Sequence, residues 1–147
     1  MGGEPYFYFV PYQPDIRAAL EELRQREFQA GRYNPATTDL DFPPDVDAES
    51  PGAQHESIEE AMEDAGADGT RSILDLSDIS KKPEFNSAAK VSDSLLKELY
   101  GTTKPSREMV EENDEFLEDV DRGQGVYVVL YNDGEPDEIY FGGISFD

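Results

Sequence analysis

Residues Gly125–Phe146 read GVYVVLYNDGEPDEIYFGGISF, and they decide the fold. Val126, Val128 and Leu130 alternate with Tyr127, Val129 and Tyr131, so this strand is apolar on both sides. A strand of that kind is covered on both faces and belongs near the middle of a sheet. The break Asn132-Asp133-Gly134-Glu135-Pro136 supplies residues that tolerate positive φ and a proline that stops the ladder. The chain then returns through Ile139, Tyr140 and Phe141, and again through Ile144 and Phe146. The pattern predicts a β-hairpin.

Working outward, Tyr6–Val10 (YFYFV) is rich in aromatics and predicts a strand closed by Pro11 and Pro14. Asp15–Ala30 predicts a helix with Ile16, Ala19, Leu20 and Leu23 on one face and Gly31 at its C-terminus. Phe28 falls off the centre of that stripe, while Glu21, Glu22, Arg24 and Arg26 cover the outer face. From about residue 32 to 56 four prolines and a run of acids predict a long loop, which Leu40, Phe42 and Val46 could pin to the core. Ser57-Ile58-Glu59-Glu60 is a capping box that opens a short helix to about Asp64, ended by Gly66 and Gly69.

Ser72–Ile79 alternates and predicts a strand, and Lys81–Lys90 predicts a loop. Asp93–Tyr100 reads as a helix burying Leu95, Leu96 and Leu99. Pro105 suits the first turn of a longer helix to about Val120, with Met109, Asn113, Phe116, Leu117 and Val120 inward. Its outer face carries Glu111, Glu112, Glu115, Glu118 and Asp119. The expectation is one α+β domain over residues 1–147: a mostly antiparallel four-stranded sheet, the first strand near the closing hairpin, and about four helices.

Charge is the dominant compositional feature: 34 acids against 12 bases give a formal net charge of −22 on 147 residues. Binding to nucleic-acid phosphates requires a basic footprint and is disfavoured, as is an anionic membrane surface. There is no cysteine, hence no disulfide, thiolate metal site or cysteine nucleophile. No apolar stretch approaches the ~20 residues of a membrane span, and the amino end lacks the pattern of a signal peptide. The expectation is a soluble, cytoplasmic protein.

The single histidine, His55, excludes every site that needs two histidine ligands, and its polar neighbours predict an exposed loop residue. There is no Gly-x-Ser-x-Gly elbow and no phosphate-binding glycine loop, so no cofactor is expected. Asp64, Asp68 and Asp75 occupy positions one, five and twelve of a partial calcium loop with Gly69 at six. Gly66 at position three, Arg71 at eight and a short acid at twelve weaken that match, which a helix-to-strand turn explains as well. The pairs Asp39/Asp41 and Asp45/Asp47 could hold divalent cations only weakly. Eight tyrosines either sit at the core edge with wet hydroxyls or form an aromatic sheet face for a ligand.

Met1-Gly2-Gly3-Glu4-Pro5-Tyr6-Phe7, Ala30-Gly31-Arg32-Tyr33, Ser57-Ile58-Glu59-Glu60-Ala61, Gly69-Thr70-Arg71-Ser72-Ile73-Leu74-Asp75 and the closing hairpin together resemble a group of small, uncharacterised bacterial proteins. The resemblance spans nearly the whole chain and implies a stand-alone bacterial domain; it brings no activity, cofactor or functional residue. The leading expectation is a non-enzymatic, immunity- or inhibitor-like protein that engages a basic protein partner. Its contact residues would be Asp39, Asp41, Asp45 and Asp47 in the loop and Glu111, Glu112, Glu115 and Glu118 on the helix. The rival expectation is a small-molecule- or cation-dependent enzyme using Asp/Glu with tyrosines, aided by Arg71 or His55.

Overall fold

A computed structural model describes residues 3–36, 42–45 and 50–146. The strands are β1 (Pro5–Pro11), β2 (Asp78–Ser80), β3 (Ser87–Lys90), β4 (Gly125–Asn132) and β5 (Glu135–Ile144). The helices are α1 (Ile16–Ala30), α2 (Ile58–Ala65), α3 (Asp93–Tyr100) and α4 (Arg107–Glu112), with 3-10 turns at Gly66–Asp68, Ile73–Asp75 and Glu115–Asp119. The α+β class matches the expectation; the sheet does not. It has five strands in the order β1-β5-β4-β3-β2 and is mixed rather than mostly antiparallel. β1, β5 and β4 pair antiparallel, whereas β3 pairs parallel with both β4 and β2.

The central hairpin forms as expected, with β4 in the middle of the five and β1 beside β5. Its turn is tighter than the sequence implied. Asp133 and Gly134 (φ 53° and 81°) make a two-residue connection. Pro136 does not stop the ladder; it pairs with Tyr131, where the register shifts by a bulge that absorbs its missing N–H.

Both sheet faces are covered. Tyr6, Tyr8, Ile139 and Phe141 meet Leu20, Leu23 and Phe28 of α1 and Ile73, Leu74 and Leu76. On the other face Val126, Val128, Leu130 and Tyr140 meet Leu96, Val110, Phe116 and Leu117. α1 ends on the expected Gly31, in a left-handed conformation, while Asp15 lies just outside it as the N-cap, its carboxylate accepting from Ala18 N–H. Phe28, off the stripe, stacks on Tyr33. Arg24 is not on the outer face; it is 7% exposed and donates to the Leu74 carbonyl at 2.9 Å.

Three expected elements change. Ser72–Ile79 is a serine-capped 3-10 turn followed by a three-residue strand, because Ser72 Oγ accepts from Leu74 N–H and starts a turn. Part of the expected loop 81–90 is β3. The expected helix from Pro105 to Val120 stops at Glu112, and it starts after the cap Ser106, so Pro105 precedes it instead of forming its first turn. Asn113 interrupts it: its side-chain oxygen accepts from Glu115 N–H at 3.0 Å, while its carbonyl takes the Tyr100 hydroxyl in place of a helical N–H. Among the described residues no helix is long and apolar enough to cross a membrane.

Candidate functional site

Of the loop acids, Asp39, Asp41 and Asp47 lie outside the described residues, and Asp45 is exposed. Glu111, Glu112, Glu115 and Glu118 are all exposed, the first two on α4 and the others on the following 3-10 turn. They form a bent surface rather than one helical stripe. Glu108, Asp114 and Asp119 in the same stretch are exposed too, as is Met109 at 41%. Arg107 binds Glu111 at 2.6 Å and Glu138 at 3.0 Å, with its guanidinium 4.1 Å from the centroid of the Phe9 ring. Among the described residues no basic side chain pairs with Glu112, Glu115 or Glu118.

The partial calcium loop does not converge. Asp64 accepts from His55 at 2.9 Å, Asp68 is exposed on its own turn, and Asp75 is 1% exposed. No group of three or more His, Asp or Glu placed to hold a metal ion occurs among the described residues. Asp75 instead ties a turn: Oδ1 accepts from the Thr70 N–H at 2.8 Å and the Thr70 hydroxyl at 2.7 Å. Burial raises its pKa, opposed by the Thr70 contacts, the Arg71 N–H and the Arg24 charge. A carboxyl group with a raised folded pKa stabilises fully below its unfolded value and loses that contribution as pH rises through the folded value. Asp75→Asn keeps the acceptor and cannot ionise. In urea unfolding series from about pH 4 to neutral, the decline of wild-type stability with pH should be steeper than that of the variant; parallel curves would refute it.

His55 is not an exposed loop residue. Its Nδ1 lies 2.7 Å from the Tyr33 hydroxyl and its Nε2 2.9 Å from Asp64, with its side chain 11% exposed. Tyr33 Oη also accepts from the Gln54 N–H at 3.2 Å. Tyr33 is fully buried, so the chain Tyr33–His55–Asp64 fastens segment 50–55 between the end of α1 and α2, and its phenol is beyond a substrate's reach. Residues 22 and 9 positions from His55 supply its partners, a separation no local motif announces.

Tyr6, Tyr8, Tyr33 and Tyr140 are each 1% exposed or less, so these four do not sit at a wet edge. Arg107, Glu111, Asp114 and Tyr140 do share a cleft of about 200 Å³ with Phe7 and Phe9. Burial first, then the Asp114 charge, raises the Tyr140 pKa, so it remains a neutral phenol there. Arg107 is already held by two glutamates. Asp114 is the carboxylate of this cleft that no described basic side chain pairs. Comparison with family models, curated proteins and solved structures finds no match to this chain.

Proposed function

We propose that this protein is a non-enzymatic binding domain that engages a basic protein through the acidic surface of α4 and the turn after it, as an immunity protein or inhibitor does. The supporting observation is the arrangement around Met109. An exposed apolar side chain, Met109, lies in a short stretch of sequence whose acids Glu108, Glu112, Glu115 and Glu118 are all exposed. An apolar centre inside a charged rim is the anatomy of an interface, and the rim steers a partner of opposite sign.

The test compares the full chain with a variant carrying Glu108→Gln, Glu112→Gln, Glu115→Gln and Glu118→Gln, both immobilised and challenged with cell lysate at low and high salt. The expected result is a basic protein retained by the wild type at low salt, released as salt shortens the screening length to a few ångströms, and bound about a hundredfold more weakly by the variant. Identical retention by both chains, or retention indifferent to salt, would sink the proposal.

A further inference from the structure

Where the helices of the second core leave the β3/β4 end of the sheet, a groove of about 280 Å³ stays open. Ala89, Val91 and Val126 belong to the sheet side, and Leu95, Phe116 and Val120 to the helical side. Its lining is mostly apolar, but its rim is not. Lys81, Lys82 and Lys90 stand around it against a single acid, Asp119. The chain has five lysines in all and a net charge of −22, so three of them on one rim reverse the sign of the surface locally. Lys90 reaches Asp93 at 3.4 Å; among the described residues neither Lys81 nor Lys82 has an ion-pair partner.

Lysines beside an edge strand also serve to block strand addition. That role accounts for Lys81 and Lys82, which follow β2, at the edge of the sheet. It does not account for Lys90, one strand further in, or for the apolar space between the three.

From this juxtaposition we propose that the groove binds a small amphiphilic carboxylate, its apolar body against Val91, Leu95 and Val126 and its head group at Lys81, Lys82 and Lys90. The occupant is small because the volume falls just below the roughly 300–1,000 Å³ of drug-sized ligand pockets. It is anionic because the lysine rim offers its only strong complement within a surface that repels anions elsewhere. Flexible lysine stems lie along the apolar wall while their ammonium groups stay solvated until a head group arrives. The site adjoins that acidic surface at Asp119, but none of Glu108, Glu112, Glu115 and Glu118 lines it, and the proposal does not depend on the reading above.

The probes are decanoate and its uncharged counterpart decanol, titrated calorimetrically into the full chain, with amide shifts recorded in parallel. The expected result is saturable binding of decanoate, with shifts centred on Val91, Leu95, Gly125 and Val126. The variant Lys81→Gln/Lys82→Gln/Lys90→Gln changes exposed side chains only. It should bind decanoate about tenfold more weakly or worse, and decanol no differently from wild type. A second variant, Val120→Trp, fills the wall and should abolish binding of both probes. Equal binding of decanoate and decanol, shifts centred elsewhere, or no saturable binding would each overturn the proposal. So would self-association of the chain that protects the same amides, which would make a second copy the occupant.

Discussion

Glu27→Ala is expected to remove roughly 3–5 kcal/mol of stability, a large share of the ~5–15 kcal/mol typical of a folded domain. Glu27 is completely buried in the last turn of α1. Arg32 grips it with both prongs, Nε to Oε1 at 2.8 Å and Nη2 to Oε2 at 2.7 Å, and Arg26 adds Nε to Oε2 at 2.9 Å. The carboxylate hydrogen bond is the leading reason the Arg32 pKa is raised. Deleting the carboxylate leaves guanidinium charge poorly solvated beside a buried site, and that uncompensated charge, more than the lost attraction, sets the penalty. Glu27→Gln preserves the shape and should cost less. Urea unfolding at neutral pH measures both; a loss below about 1 kcal/mol for the alanine variant would place this cluster with ordinary surface ion pairs. The consequence reaches beyond α1, because the Gly31 turn that follows is closed against segment 50–55 by the Gly52 N–H on the Ala30 carbonyl at 3.1 Å.

Phe116→Ala should cost a similar ~3–5 kcal/mol through a different cause. The ring is 2% exposed and meets Tyr140 edge-on at 5.3 Å and 86°. It also lines the lysine-rimmed groove. Truncation would join that groove to the interior of the second core, and the short 3-10 turn has few other anchors with which to close the gap. Phe116→Leu keeps most of the volume and should recover at least half of the loss. The check is thermal and urea unfolding of both variants. A loss in the alanine variant no larger than in the leucine variant would mean that this turn collapses freely.

The elements with strong local signals were legible in the sequence. Asp15 and Gly31 bounded α1, and Ser57 capped α2, although Glu60 reaches back to the Glu56 N–H rather than to the cap residue itself. The dense aromatic and β-branched runs gave β1, β4 and the apolar part of β5. β3 was not legible, because Ser87-Ala88-Ala89-Lys90 has no β-branched or aromatic residue. It forms because β2 and β4 pair with it on either side, a tertiary cause. Parallel pairing escaped for the same reason: it depends on a crossover through α3 and α4, not on the strand's own pattern. The Asn113 interruption was written in the sequence as a residue whose side chain competes with the backbone, but the helical spacing of the apolar residues around it outweighed that signal. Of the candidate sites, the acids of α4 were legible because exposure follows from a polar helix face. The groove was not, since its lining residues lie up to 45 positions apart, from Lys81 to Val126.

The register of β1 also shapes how a ribosome would deliver this chain. Pro5 pairs with Ile144, and Glu4 N–H donates to Ser145 Oγ across 141 positions. β1, with its four consecutive aromatics, therefore emerges long before β5 and stays without its sheet neighbour until β5 has been made. Contacts of such long sequence separation slow folding, and an exposed apolar strand is a site for aggregation while it waits. Five acids against four bases in residues 1–38 leave β1 in a nearly neutral stretch, so the charge that keeps copies of the nascent chain apart arrives only with the acids from Asp39 onward.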